Sequence, residues 1–439
     1  MPSSNTRLSR LSGELRGSEI LRIFGEIREL VAKGHDILDL TIGDFSPKEF
    51  PIPAELQTAL VDAVNGGETN YPPGIGMPAL RTAIQKLCHE RLDLKLSLDE
   101  IMVASGSRPA IYTLYRALVD PGDRVVFGVP SWNNEYYCSL VGATPVAIEC
   151  SRETDFLLTA DLLRDKLRGA RLLALNSPMN PTGTLFTEDA LASICDLVLE
   201  ENKRRSPNER PLYLFYDQVY WMLTVGKGHH VHPLQLRPEL APYTILVDGI
   251  SKGLAATGLR VGWSVAPADL TKAMNNINTH LGAWAPRAEQ VATARFLGQA
   301  GALDEHLHRM RAGLAARLDA MYAGLSRLKQ DGLPVDCIKP KGAIYISARF
   351  ALAGSRTSAG ITLENDDQVR NYLLTEAGLA IVPFGAFGAK NGDGWFRMSV
   401  GVASVEKIDA LMPRLRAAIQ ATRSAAPAHQ ELAAGGTHA

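Results

Sequence analysis

Between about residues 101 and 266, short β-rich apolar runs alternate with longer stretches whose apolar residues recur at helical spacing. The runs are IMV (101–103), RVVF (124–127), PVAIE (145–149), LLAL (172–175), LYLFY (212–216), TILV (244–247) and VGWSVA (261–266). Between them, RPAIYTLYRALV and TEDALASICDLVLEEN carry apolar positions every three or four residues. This alternation predicts an α/β fold in which a mainly parallel, seven-stranded sheet is covered by helices.

After residue 300 the pattern changes. Leu303, Leu307, Met310, Leu314, Leu318, Tyr322, Leu325 and Leu328 step by three or four, which predicts one long amphipathic helix. Strand-like AIYISA (343–348) and WFRMSV (395–400) follow, then a helix near 404–421, together a smaller α+β domain. The expected division is an arm and helix at 1–50 packing with the small domain, a large domain at 51–300 and a small domain at 301–422. The small, polar end at 423–439 is expected to be disordered.

Composition narrows the partners. At 439 residues, 46% hydrophobic and 21% charged, with net charge −1, the chain gives no reason to expect nucleic acid or a membrane surface. Cys88, Cys138, Cys150, Cys195 and Cys337 are odd in number and form no Cys-x-x-Cys pair, which suits a reducing compartment. The first twenty residues lack the apolar core of a secretory signal, and AGLAIVPFGAFGA (377–389) is too short and too broken to span a bilayer. A cytoplasmic protein is expected.

Open α/β sheets place their ligands at the carboxyl ends of strands. ASGSRPA (104–110) follows the first run and opens a helix, so Gly106, Ser107 and Arg108 offer backbone N–H groups to an anion. A plain N-cap serine would look the same. LNSPMNPTG (175–183) marks a rigid turn holding Asn176 and Asn180 still. In FYDQVYW (215–221), Asp217 ends an apolar strand, where a carboxylate needs a cationic or protonated partner. Tyr220 lies one helical turn further on. VDGISKGLAATGLRVGW (247–263) sets Lys252 among small and apolar residues, with Arg260 eight positions later. An enclosed lysine is paired, accidental, or used where chemistry needs a neutral amine.

Two stretches are set aside. GIGMPA (74–79) fits a dinucleotide fingerprint, but it follows ETNYPP rather than a strand. The histidines of GHHVHP (228–233), with His306 and His308, lack a coherent metal-ligand set and are expected on solvated loop or helix surface.

The cofactor that needs an anion cradle, an enclosed lysine and a buried carboxylate together is pyridoxal phosphate. At this point the chain resembles the class I (aspartate-type), fold-type I aminotransferases. The resemblance rests on TNYPPGIGMPALRTAI, DPGDRVVFGVPSW, SPMNPTG, YDQVYW, SKGLAATGLRVG and FRMSVG, in order, over about residues 18–420. It implies that Lys252 is the imine-forming lysine and base, and that Asp217 pairs with the ring nitrogen of pyridoxal 5'-phosphate. It further implies that Tyr220 and Asn180 meet the ring's phenolic oxygen and that Trp132 stacks on the ring. Arg260, with the backbone of Gly106, Ser107 and Arg108, would hold the phosphate. Tyr71 would reach that phosphate from the other subunit of a homodimer. Arg397 and Gly43 would receive the α-carboxylate of an amino acid or 2-oxo acid.

The chain also departs from the resemblance. Where some members carry a phosphate-binding serine three residues before the lysine, this chain has Gly249, with Ser251 nearby. Where some carry a histidine behind the aspartate, it has Glu135. The charged ENKRRSPNERP (201–211) is expected to be an exposed loop. Arg108 stands where some relatives have a lysine linked to a side-chain carboxylate, which favours aspartate or glutamate as a substrate. The same fold and lysine also serve C–S lyases, and related domains sense ligands beside DNA-binding modules. Residues 1–40 are too short and too weakly basic for such a module.

Overall fold

The computed structural model describes residues 8–423 apart from Arg16, Ser18 and Asn391; the tail expected at 423–439 lies, beyond its first residue, outside the described residues. Strand β1 (Leu38–Asp39) comes first. The seven runs read from the sequence become β2 (Ile101–Ala104), β3 (Arg124–Val129), β4 (Thr144–Glu149), β5 (Ala170–Asn176), β6 (Tyr213–Asp217), β7 (Thr244–Gly249) and β8 (Gly262–Val265). They form one sheet of order β2-β8-β7-β6-β5-β3-β4. All neighbours are parallel except β8, which runs antiparallel to both β2 and β7. Strands β2, β7 and β8 are buried along their whole length because helices cover both faces, which is why their sequences do not alternate. Edge strand β4 is mostly exposed.

A second, antiparallel sheet of order β12-β13-β10-β9 is built from β9 (Val335–Cys337), β10 (Tyr345–Phe350), β12 (Val382–Pro383) and β13 (Trp395–Ser399). Strand β11 (Leu379–Ala380) pairs parallel with β1, tying the N-terminal segment to this half. The long helix runs Ala302–Gln330, with Leu303, Leu307, Met310, Leu314, Leu318, Leu325 and Leu328 buried. Met321, not Tyr322, completes that face. Leu38, Leu40, Phe45 and Phe50 share a core with this helix, and so do Tyr220 and Leu223 from the loop after β6. The loop that carries Tyr220 therefore sits where the two halves meet.

Two expectations change. His230, His232 and His306 are buried, not solvated: His232 Nε2 bonds the Leu92 carbonyl at 2.9 Å and His306 Nε2 the Gly253 carbonyl at 3.2 Å. His232 and His306 each place a nitrogen on a backbone carbonyl, which lets them sit in a core, while His230 Nε2 meets the Gln218 side-chain Oε1 at 3.4 Å. The stretch 201–211 is exposed at Lys203, Arg204 and Ser206–Arg210, but not all of it is loop. Its start is the last turn of helix Glu188–Arg204, where buried Glu201 pairs with Arg205 at 3.0 Å. All five cysteines are free and buried. Among the described residues no helix is long and apolar enough to cross a membrane.

Candidate active site

The carboxyl ends of β2, β5, β6 and β7 converge with the edge of the second sheet. At the end of β2, helix Ser107–Leu118 starts at Gly106, whose φ of 88° and ψ of 173° suit glycine. A Cβ at Gly106 would lie 2.8 Å from the Arg260 Cζ, so only glycine lets this guanidinium lie against the turn. Arg260 donates to the carbonyls of Thr257 (2.8 Å) and Ser105 (3.2 Å). Burial, then neighbouring Arg108, lowers its pKa. Arg108 in turn stacks over Trp132, 4.9 Å from the ring centroid. A helix N-terminus and two arginines thus face one place, and among the described residues neither arginine pairs with a carboxylate.

Lys252 lies in the helical turn Ile250–Gly253 after β7, enclosed but with part of its surface open to the cleft. Its Nζ donates to the Gly43 carbonyl at 2.5 Å and stands 5.7 Å from the centre of the Tyr220 ring. Desolvation pushes its pKa down to about 8; Asp44 opposes that shift, while Arg397, Arg108 and Arg260 add to it. Asp217, at the end of β6, accepts from the Val219 N–H at 3.1 Å. Desolvation raises its pKa to about 6, with Val219 and Lys252 opposing. An enclosed carboxylate held that high is short of a cationic partner.

The SPMNPTG turn contains cis bonds at Ser177–Pro178 and Asn180–Pro181. Asn176 braces it, accepting from the Asn180 N–H and donating to the Asp217 carbonyl, both at 2.8 Å. Asn180 Oδ1 accepts from Arg397 at 3.0 Å, which leaves its amide NH2 free to donate elsewhere. Arg397, on β13, is only 1% exposed. It also donates to the Thr41 carbonyl and lies 4.8 Å from the rings of both Tyr345 and Phe387. Its Nε has no partner, and among the described residues no carboxylate neutralises it. A buried guanidinium without a counter-ion is a site for one.

Lys252, Asp217, Tyr220, Asn180, Arg397 and Gly43 are therefore brought together, with Gly106, Ser107, Arg108, Trp132 and Arg260 beside them. Ser251 sits in the same helical turn as Lys252. Tyr71 stands apart: it is 82% exposed and its ring meets Trp284 edge-on at 5.4 Å. A Cβ on Gly249 would lie 2.8 Å from the Val261 carbonyl oxygen, so this backbone leaves no room for serine there. Glu135 is exposed and faces Gly388 rather than Asp217. From that helix it is Tyr137 whose titration feels both Arg108 and Asp217; its buried hydroxyl is unpartnered and its pKa is pushed up to about 12, chiefly by desolvation. Nothing in the sequence points to Thr41, Tyr345 or Phe387, which shape the arginine site. Thr41 acts through its carbonyl, and the other two read as core apolar residues.

The residues fit pyridoxal 5'-phosphate: a carboxylate short of a cation, an anion cradle short of an anion, and an amine of depressed basicity lie together. Comparison with known proteins agrees. An aspartate aminotransferase of Geobacillus stearothermophilus is 31% identical over 390 residues, spanning 87% of this chain and 92% of that protein. A probable aspartate/prephenate aminotransferase of Rhizobium leguminosarum is 29% identical, spanning 85% and 90%. The crystal structure of the Rhizobium meliloti aspartate aminotransferase superposes with a TM-score of 0.86 at 28% identity, covering 95% of this chain and 99% of that one. Such aminotransferases use pyridoxal 5'-phosphate. The sequence profile of aminotransferase class I and II matches residues 35–415, and the chain belongs to that family as a pyridoxal-phosphate-dependent aminotransferase.

Proposed function

We propose that this aminotransferase moves the amino group of an acidic L-amino acid, aspartate or glutamate, to a 2-oxo acid in two half-reactions of a ping-pong cycle. The observation that carries the reading is an amine of lowered basicity, Lys252, enclosed opposite a buried arginine, Arg397, that has no carboxylate of its own. Bound at Lys252, pyridoxal phosphate supplies an electron sink for the pair left when a bond to the substrate's α-carbon breaks.

The chain's own groups do the rest. Arg397, fixed by Asn180 and the Thr41 carbonyl, grips the α-carboxylate through a forked geometry that lysine cannot copy, with Gly43 alongside. Lys252 Nζ, neutral at little cost, would take the proton from the substrate's α-carbon and carry it within the site as general base. Asp217 would pair with the ring nitrogen and keep it protonated, giving the buried carboxylate the cationic partner it otherwise lacks. The Tyr220 hydroxyl and the free amide NH2 of Asn180 meet the phenolic oxygen, and Trp132 covers the ring face. Arg260, Ser251 and the backbone N–H groups at residues 106–108 hold the phosphate. Tyr71 reaches the phosphate from the partner subunit of a homodimer, which accounts for a tyrosine left outside its own site.

Arg108 and the names of the relatives support the acidic donor. Arg108 is cationic, beside the cleft and unpaired among the described residues. Its loss should remove one charge-assisted contact, a factor of roughly 10–100. We expect Arg108→Ala to lower kcat/KM for L-aspartate by that factor while a neutral donor loses far less; equal losses would remove the acidic reading. We also propose a division into a large domain at 51–300 and a small one at 301–422, with 1–50 packed on the latter. A cytoplasmic location belongs to the same proposal, supported by five free cysteines.

A further inference from the structure

Tyr345, on β10, is 1% exposed and makes three contacts that bear on the site. Its hydroxyl is hydrogen-bonded to that of Tyr220, and the two rings meet edge-on at 5.5 Å. The face of its ring lies 4.8 Å from the Arg397 Cζ. Its phenol fills the space beside Gly43, since a Cβ built there would lie 3.3 Å from the Tyr345 Cζ and overlap the hydroxyl. Gly43 itself receives the Lys252 amine. One side chain of the smaller sheet thus touches a phenol from the large sheet, the buried guanidinium, and the backbone that meets the lysine.

We infer that Tyr345 is a positioning residue that aligns Tyr220 and Arg397 together, so that the cofactor ring and the substrate carboxylate are set by the same side chain. The inference rests on the roles proposed above for those two residues. A phenol has one proton and two lone pairs, so two phenols sharing a hydrogen bond have one proton left to point outward. If Tyr220 donated to Tyr345, only lone pairs would face the cofactor's phenolic oxygen. With Tyr345 donating, the Tyr220 proton is free for that oxygen and is strengthened by the bond behind it. Burial holds both phenols protonated, raising their pKa from the ordinary value. The ring face separately gives Arg397 a support that costs none of its donors.

Removing the hydroxyl and removing the ring separate the two halves of the inference. A hydrogen bond to the phenolic oxygen favours its negative charge and lowers the pH at which the lysine-linked chromophore loses its proton. In holoenzyme, Tyr345→Phe should raise the midpoint of the visible-band pH titration by about half a unit, with KM for the donor amino acid within about twofold of wild type. Tyr345→Leu should raise KM roughly tenfold as well, because Arg397 loses its support. A midpoint unmoved in the phenylalanine variant overturns the hydroxyl's role. Equal KM values in the two variants overturn the ring's role. A lowered melting temperature with midpoint and KM unchanged makes Tyr345 merely structural and overturns both. Absence of a visible band in wild type, even with added pyridoxal phosphate, defeats the reading of the site itself, and this inference falls with it.

Discussion

At the scale of single residues, the site is a set of unpaid electrostatic debts. The Lys252 pKa stands at about 8 in the fold, against 10.5 for the free side chain, mainly because the charged amine is desolvated. The sign follows from linkage. Below pH 8 both folded and unfolded chains hold the proton, and the folded chain bears the full penalty of ~3 kcal/mol at most. Between pH 8 and 10.5 the folded chain has lost its proton while the unfolded one has not, so the penalty fades. Freed of cofactor, Lys252→Met should therefore be more stable than wild type at pH 7, by up to ~3 kcal/mol, with the gain shrinking toward pH 10.5. Urea unfolding at the two pH values checks this; a gain of the same size at both would contradict it. Lys252, Asp217, Asn180 and Arg260 stand out in the sequence because turn residues and strand ends frame them, whereas Arg397, in the middle of β13, enters only through the family resemblance. Tyr345 and Phe387 do not stand out, since an aromatic in an apolar strand or turn reads as packing until its hydroxyl or face is seen to meet a charge.

Elements decide how closely those residues approach. Gly106 is the clearest case: its backbone angles belong to glycine, and the Arg260 guanidinium occupies the place of a side chain. Gly106→Ala should cost ~1–3 kcal/mol in strain and push Arg260 out of the cradle. The expected result is at least a tenfold rise in the Kd for pyridoxal phosphate, read by spectroscopic titration of protein whose circular dichroism is unchanged. An unchanged Kd would mean that this turn does not place the arginine. All seven strands of the large sheet were legible because each is a continuous apolar run between helical patterns. Strands β1, β11 and β12 were not, since two residues have no period. The buried histidines misled for a related reason: sequence shows a polar ring, and only the fold supplies the carbonyls of Leu92 and Gly253 that satisfy it.

Across the whole molecule, chemistry lies where two cores meet. Tyr220 belongs by sequence to the large sheet but packs in the core of the long helix, and Arg397 reaches the SPMNPTG turn from the second sheet. A shift of one half against the other therefore moves the arginine relative to the lysine. The exposed Tyr71, with Val61, Val64 and Leu281 also exposed, gives the large half an apolar outer surface suited to a second copy. Sedimentation should accordingly give a particle of twice the 47.6 kDa chain mass, and a monomer at micromolar concentration would remove Tyr71 from the site. The expectation of a homodimer rests on the resemblance, because one chain's hydrophobic pattern does not say which exposed residues face a partner.

The central claim is that Lys252 carries the cofactor and passes an amino group between acids. The most direct test is the absorbance spectrum of purified holoprotein titrated with L-aspartate or L-glutamate, with no oxo acid added. The visible band should collapse as the amine form of the cofactor accumulates, return when a 2-oxo acid is added, and be absent from Lys252→Ala. A band that persists through saturating aspartate and glutamate would contradict the proposed donor. A protein that shows no band with pyridoxal phosphate supplied would contradict the account at its base.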